Sequence, residues 1–340
     1  MKTPLGLLAP CLLLFSSVVW SHADPISDLR SVSVFRDADL NRLGSGEVLA
    51  ARGPAMNFNR GLAVESAYAV RLPVPRAVGL HQQFDPVRHP DLKVFLQGAI
   101  PNRPSPASFE RLASAPSNGS VNAFAKATEN APADPAKVQL SAAEAKTFTG
   151  GAEVSRGGLS PAVVQFWSRI LAQRAQAYAS GGINAEPAFE GAGGTIRPGE
   201  EASRLLSEAG KVQQQFGPII ERSGLRGHGG GTGTYQLFDV DGDGAVSLSA
   251  FHSVPVNDGA EAADITYYSS SGFYALVSFY RFWPVTIGGQ PATLVWRVDL
   301  ISSPAFSELR GIERVGSGAA FMRGIQKDDK AIVSDAAGAR

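Results

Sequence analysis

Two long apolar segments in the C-terminal third constrain the fold of this chain most strongly. They run over 272–283 and 292–301 and are joined by a turn near Ile287-Gly288-Gly289. In the first segment both sets of alternating residues are apolar: Phe273, Val277 and Phe279 on one side, and Tyr274, Leu276, Tyr280 and Phe282 on the other. Antiparallel sheets usually leave one face in water. We therefore expect this hairpin to be covered on both faces, by helices on one and by other apolar groups on the other.

The order of elements along the rest of the chain predicts an α+β fold. Residues 62–72 alternate as a half-buried strand does, Ser160-Pro161 is typical of a helix start, and a second helix begins near Pro198. Strands, then helices, then strands and a closing helix indicate a mainly antiparallel sheet packed against helices, with a long, partly irregular helical insertion.

The predicted organisation has six parts. They are a signal peptide (1–23), the first part of the α+β domain (24–100), a Pro/Ala/Ser-rich loop region (101–158), a helical hairpin (159–226), the C-terminal strands and closing helix (227–330), and a disordered tail (331–340). Within the closing helix we expect a break at Gly316-Ser317-Gly318.

The N-terminus predicts secretion. A basic start, an apolar run from Leu5 to Trp20 and Ser21-His22-Ala23 are typical of a signal peptide cleaved after Ala23. The only cysteine, Cys11, lies inside that segment, so the mature chain has no disulfide and no thiol chemistry. The richness in Ala and Gly with few Lys favours a bacterial source, and therefore the periplasm.

Composition excludes several classes of protein. Hydrophobic residues make up 44% of the chain, charged residues 18%, and the formal net charge is zero. A nucleic-acid binder needs clustered Lys and Arg, and a wholly disordered chain needs low hydrophobicity. No second long apolar run follows the signal peptide, so we expect no transmembrane anchor.

Three segments together resemble the START-like, or helix-grip, family of polyketide cyclases and lipid-transfer domains. Gly46-Glu47-Val48-Leu49 resembles its first strand, and 68–75 followed by 78–91, with Asp85-Pro86-Val87-Arg88-His89-Pro90, resembles its strand-proline-helix entry. Residues 293–299 before a final helix resemble its closing hairpin. The resemblance covers about half of the mature chain, and 101–233 departs from it. It implies a concave sheet around the last helix, enclosing an apolar ligand pocket.

The aromatic residues of the hairpin are candidates for lining such a pocket. Core packing is the ordinary role of such residues, and contact with an apolar ligand is the alternative. Arg297 and Asp299 share one strand face, either as an exposed pair or as polar groups facing a cavity. The predicted ligand-binding residues are Tyr274, Phe279, Trp283, Trp296 and Arg297.

The segment Asp239-Val240-Asp241-Gly242-Asp243-Gly244 has the spacing of a calcium loop, with Asp at positions 1, 3 and 5 and Gly at position 6. Ser247 falls at position 9, whereas position 12 is Ala250 instead of the bidentate Glu. The predicted calcium ligands are Asp239, Asp241, Asp243 and Ser247. The alternative is a hairpin turn, in which Asp and Gly are ordinary.

Other histidine motifs carry weaker predictions. His81 and His89, with Asp85 or Asp91, have the composition of a metal site. His228-Gly229-Gly230-Gly231 resembles an esterase oxyanion loop, but the chain has no Gly-x-Ser-x-Gly segment.

Three hypotheses on function follow from these residues. The first is a secreted, non-enzymatic protein that binds a lipid-like, apolar or amphipathic small molecule. The second is a structural or interaction protein of the cell envelope with a degenerate calcium loop. The third is a hydrolase, which the sequence favours least because no nucleophile, base and orienting group form a recognisable set.

Overall fold

The computed structural model describes residues 24–150, 158–308 and 311–338. The predicted signal peptide, residues 1–23, lies outside the described residues. The described part is an α+β structure in which helices pack against one large antiparallel sheet, and it confirms the predicted fold class.

The large sheet has eight strands. They are β1 (Leu49–Arg52), β2 (Gly61–Val70), β3 (Val94–Ile100), β6 (Thr232–Val240), β7 (Asp243–Val256), β8 (Gly259–Ser269), β9 (Ala275–Ile287) and β10 (Gln290–Ser302). Their order in space is β1-β2-β10-β9-β8-β7-β6-β3, and every neighbouring pair is antiparallel. A separate small hairpin is formed by β4 (Phe189–Gly191) and β5 (Gly194–Ile196), within the predicted helical hairpin.

Eleven α-helices are described. They are α1 (Pro25–Val32), α2 (Leu40–Gly44), α3 (Val74–Gln82), α4 (Gly119–Asn130), α5 (Ala142–Ala145), α6 (Pro161–Gly181), α7 (Pro198–Glu208), α8 (Gly210–Gln215), α9 (Gly217–Arg222), α10 (Pro304–Glu308) and α11 (Gly311–Gly338). Helix α6 begins as predicted, because the Ser160 side chain accepts a hydrogen bond from the backbone N–H of Val163 at 3.4 Å and Pro161 takes the first helical position.

Both faces of the sheet are covered, as the doubly apolar hairpin predicts. On the first face the core includes Trp296 and Phe279, whose rings pack against Phe216 at the α8–α9 junction. On the second face, helices α3 and α11 pack over Tyr280, Phe282 and neighbouring apolar residues. The sheet is therefore the middle layer of three, with its charged side chains enclosed along with its apolar ones.

Within the predicted Pro/Ala/Ser-rich loop region, the structure describes a helix that the sequence did not predict. Helix α4 lies there, capped by the Asn118 side chain, and Phe124 packs on Trp167 of α6 at 5.1 Å between ring centroids. Phe109 and Leu112 are also fully buried. The few large apolar residues, spaced three or four apart among the small ones, are enough to hold this segment on the core.

Helix α11 corrects the prediction for the C-terminal end. It continues through the expected break at Gly316-Ser317-Gly318 and through most of the predicted tail, as far as Gly338. Ile332 and Ala336 are buried against the sheet, which gives the last turns their apolar partner. A Cβ atom at Gly318 would come within 2.6 Å of the Arg52 guanidinium, so a larger residue there would displace that flexible side chain.

Candidate functional site

A pocket of about 310 Å³ lies where the C-terminal end of α11 meets the end of β2 and the turn after α2. We call it the α11 pocket. It is partly enclosed and is lined by Gly44, Ser45, Gly46, Ala69, Val70, Arg71, Val333, Ala336 and Ala337. The volume falls at the lower end of the range of small-molecule sites, about 300–1,000 Å³.

Three elements shape the pocket. Val70 and Ala336 form an apolar floor and are almost completely buried. The turn between α2 and β1 forms the opposite side, where Gly46 has a φ of 99°, a backbone conformation that favours glycine. A Cβ atom at Gly46 would meet no atom within 4 Å, so this side is open.

Arg71 is the only charged residue among the nine that line the pocket. It directly follows the last residue of β2 and is exposed. Its Nη2 donates a hydrogen bond to the backbone oxygen of Gly44 at 3.2 Å, which holds the guanidinium at the rim. The rim is therefore cationic, and the floor is apolar.

A second polar feature lies between the sheet and α11, next to the pocket. Arg297 donates to Asp299 Oδ1 from Nε at 3.0 Å and from Nη2 at 2.9 Å, and its Nη1 donates to Asp329 Oδ1 of α11 at 3.1 Å. Ser278 Oγ also donates to Asp299, at 2.5 Å. In the sheet, Asp264 of β8 lies directly across from Ser278 of β9, and Ser66 of β2 lies directly across from Arg297 of β10. We call this group of side chains the Arg297 cluster: Arg297, Asp299, Asp329, Asp264, Ser278 and Ser66.

The Arg297 cluster has more acidic than basic groups and little access to water. The side chains of Asp299 and Asp329 are completely buried. Burial raises the pKa of Asp329 and the pKa of Asp264 to about 6, and the Arg297 charge opposes the increase. Buried carboxyls with raised pKa values are more frequent at functional sites than elsewhere, although structural ion pairs produce them too.

His81 lies on the same face of the sheet and is neutral at physiological pH. Burial lowers its pKa to about 4. Its Nε2 accepts a hydrogen bond from the Tyr68 hydroxyl at 2.6 Å, and its Nδ1 donates to the backbone oxygen of Ala77 at 2.7 Å. His89 instead lies 3.2 Å from Asp335 of α11. Both nitrogens of His81 are thus engaged, and the structure does not bring the two histidines together at one metal site.

The predicted ligand-binding residues lie on opposite faces of the sheet. Phe279, Trp283 and Trp296 are packed in the core of the first face, and Arg297 lies on the second. Tyr274, just before β9, packs with Phe189 and Ile196 instead of following the strand alternation. The structure therefore does not place these aromatic rings around Arg297, whose nearest ring is that of Tyr280, 5.5 Å from the guanidinium carbon.

The predicted calcium ligands lie along the β6–β7 hairpin. Val240 pairs with Asp243, and the two residues between them, Asp241 and Gly242, have φ values of 52° and 96°, which define a type I′ turn. The Asp239 carboxylate accepts hydrogen bonds from Lys93 at 3.0 Å and from Ser120 at 2.5 Å. Ser247 lies further along β7, opposite Gln236. Calcium binding here stays a prediction; among the described residues, no cluster of three or more His, Cys, Asp or Glu side chains is arranged to hold a metal ion.

A buried charged group on the first face was not predicted. Arg174 of α6 is completely buried, donates to Glu144 at 2.8 Å and to the backbone oxygen of Pro187 at 3.1 Å, and lies 3.6 Å from Glu186. Its guanidinium carbon is 4.2 Å from the ring centre of Tyr268. We assign it to the stability of the fold, because its partners join α6 to the segments that contain Glu144 and Pro187.

Another pocket, of about 590 Å³, is an open groove on α7, and its lining is mostly polar: Asn184, Gly199, Glu200, Ser203, Arg204, Ser207 and Glu208. It is more open to solvent than the α11 pocket, so it would enclose less of a ligand's surface and is the weaker candidate.

The sequence analysis missed the residues that α11 contributes to the site. Val333, Ala336 and Ala337 fall in the predicted disordered tail, and Asp329 carried no signal on its own. The apolar residues at 325, 332, 333 and 336 have helical spacing around Asp328-Asp329, and this pattern could have indicated an amphipathic helix with acidic residues on its buried side.

Comparisons with known proteins give no relative. No protein-family model matches the chain, and no curated protein is significantly similar to it. The resemblance to START-like proteins accordingly stays a prediction. None of the described helices is both long enough and apolar enough to cross a membrane.

Proposed function

We propose that this protein is a secreted, non-enzymatic binding protein that holds a small amphipathic molecule in the α11 pocket. One observation carries the proposal: a pocket between the sheet and the last helix combines a buried apolar floor, Val70 and Ala336, with a single cation, Arg71, at its rim. The apolar part of a ligand would lie on the floor, and an anionic head group would contact the guanidinium.

The size of the pocket limits the ligand. A volume of about 310 Å³ suits one short chain or a small ring system rather than a two-chain lipid. The predicted signal peptide supports the secreted location, because a periplasmic carrier meets such molecules outside the cytoplasm.

We propose that the α11 pocket binds its ligand without catalysing a reaction. His81 and His252 are each bonded to a tyrosine hydroxyl, at 2.6 and 3.0 Å, and neither lines the pocket. Arg71 has neither a carboxylate nor a histidine beside it in the lining, so a general acid-base pair is missing from the nine pocket residues.

The first test uses a pair of probes with opposite charges, decanesulfonate and decyltrimethylammonium, at concentrations below micelle formation. Calorimetry on the mature chain should show tighter binding of decanesulfonate. Arg71→Ala should weaken decanesulfonate binding by roughly tenfold or more, because a charge-assisted hydrogen bond contributes about 1.5–3 kcal/mol. Arg88→Ala is the matched control, since Arg88 is exposed and lies outside the pocket.

The second test fills the pocket. Ala337→Phe adds bulk to the wall of the pocket, whereas Ser334→Phe adds the same bulk at an exposed position of α11 outside the lining. Only Ala337→Phe should reduce decanesulfonate binding. If neither probe binds the wild type, or if Ala337→Phe binds as tightly as the wild type, the proposal is wrong.

A further inference from the structure

The Arg297 cluster and the α11 pocket share one helix. Asp329 lies four residues, about one turn, before Val333, and two turns before Ala336 and Ala337. The contact between Arg297 and Asp329 therefore fixes the helical segment that forms one wall of the pocket. We propose that the Arg297 cluster is a clamp, controlled by protonation, that sets how firmly α11 closes the pocket; its effect on the ligand rests on the function proposed above.

The balance of charges supports this proposal. One guanidinium faces four carboxyl groups: Asp299, Asp329, Asp264 and Asp328, whose partly exposed side chain lies 3.9 Å from Arg297. If all four were ionised, the region would carry a large excess of negative charge with little water to screen it. Protonation of Asp264 and Asp329 removes two of the three excess negative charges and leaves the Arg297–Asp299 pair intact. The pKa of Asp328 is also raised, to about 7, but its side chain is 40% exposed and water screens its charge, so the two buried carboxyls dominate.

No neighbouring base compensates for the acids. Several groups surround Arg297 and Asp329. They are Asp299 from β10, Ser66 and Tyr68 from β2, Ser278 and Tyr280 from β9, Asp264 from β8, His81 from α3 and Asp328 from α11. His81 stays neutral above about pH 4, since burial lowers its pKa to that value. Arg297 is thus the one cation of this set at neutral pH.

The ionisation of Asp264 and Asp329 determines whether α11 is held more firmly at low or at high pH. Below about pH 6 Asp264 and Asp329 are protonated, repulsion is small and α11 is held on the sheet. Above that pH they ionise, and mutual repulsion with Asp299 and Asp328 loosens α11. We therefore expect a ligand in the α11 pocket to be held more tightly at pH 5 than at pH 8.

The test compares the wild type with the double variant Asp264→Asn/Asp329→Asn, in which uncharged amides replace the two carboxyls. Amide hydrogen exchange is measured over residues 325–338 at pH 5 and pH 8 and corrected for intrinsic exchange rates. In the wild type, protection should fall by at least tenfold from pH 5 to pH 8; in the double variant it should change by less than threefold. Asp91→Asn, at an exposed site, should behave like the wild type.

The His89–Asp335 pair also holds α11, but it is present in all three proteins, so its contribution is common to them. If the double variant does not fold, Asp329→Asn alone is compared in the same way. Equal pH dependence in the variant and the wild type, or no pH dependence in the wild type, would overturn the clamp.

Decanesulfonate, whose charge is constant over this range, separates the two proposals. If exchange depends on pH as expected but decanesulfonate does not bind, the clamp stands and the proposed function fails. If decanesulfonate binds with the same affinity at pH 5 and pH 8 and exchange is unchanged, the function stands and the clamp fails.

Discussion

At the scale of single residues, substitutions of the buried charged residues have predictable effects on stability. Arg174→Met should lower the free energy of unfolding by about 3–5 kcal/mol, because Glu144 loses its buried cationic partner and the backbone oxygen of Pro187 loses its hydrogen-bond donor. Glu186→Gln should cost less than about 1 kcal/mol, since burial raises the pKa of Glu186 well above its usual value and favours the neutral form that glutamine imitates. Urea denaturation at pH 7 measures both; equal losses would contradict this assignment.

The sequence predicts the face on which a residue lies better than it predicts the partner. Strand alternation placed Arg297 and Asp299 opposite Leu294, Trp296 and Val298, and the structure confirms this. It did not identify Asp329 as the third member, because that contact joins residues 32 apart through helix packing. The chemistry of the cluster therefore depends on a long-range contact for which a single sequence carries no local signal.

At the scale of elements, the β6–β7 turn makes a prediction that bears on calcium. Gly242→Ala should destabilise the protein by about 1 kcal/mol or more, because a φ of 96° is unfavourable for any residue with a Cβ atom. Asp241→Asn should change stability by less than about 0.5 kcal/mol, since asparagine tolerates a φ of 52°. A rise in melting temperature with calcium that is lost in Asp241→Ala would instead favour the calcium loop.

Elements with strong local signals were predicted well, and elements defined by their packing were not. The start of α6 and the glycine turn between β9 and β10 have cap and turn residues that act locally. Helix α4 and the end of α11 consist largely of small residues, with few large apolar side chains to mark the helical period. They are helical because a few side chains, such as Phe124 and Ile332, find a buried partner that only the folded sheet provides.

At the scale of the whole molecule, the doubly apolar hairpin predicted correctly that both faces of the sheet are covered. The hairpin predicted the location of the site less well. An apolar strand face has the same sequence pattern whether it is covered by helices or by a ligand. The first face is filled by core side chains, and the pocket lies at the rim of the second, where α11 ends. The position of a rim pocket depends on where a helix stops relative to a sheet, and this offset of a few ångströms is set by tertiary packing.

The dependence of overall stability on pH combines two opposing sets of buried groups. Burial raises the pKa of Asp264 and Asp329 to about 6, so between pH 4 and 6 the folded chain holds protons that the unfolded chain has lost, and stability rises as the pH falls. Burial lowers the pKa of His81 and His252 to about 4, so between pH 6.5 and 4 the unfolded chain binds protons that the folded chain rejects, and stability falls as the pH falls.

Each of these four shifts is roughly two units, and one unit corresponds to about 1.4 kcal/mol. Burial also raises the pKa of Glu65, Glu186 and Glu261, which adds to the first set. We therefore expect the free energy of unfolding of the wild type to rise as the pH falls from 6.5 to 5. His81→Gln/His252→Gln removes the opposing set and keeps a polar partner for each tyrosine hydroxyl, so this rise should be steeper. Asp264→Asn/Asp329→Asn removes two of the acids, so the rise should be smaller. Urea denaturation across this range measures all three proteins, and parallel profiles would mean that these four groups do not govern the pH dependence of the fold.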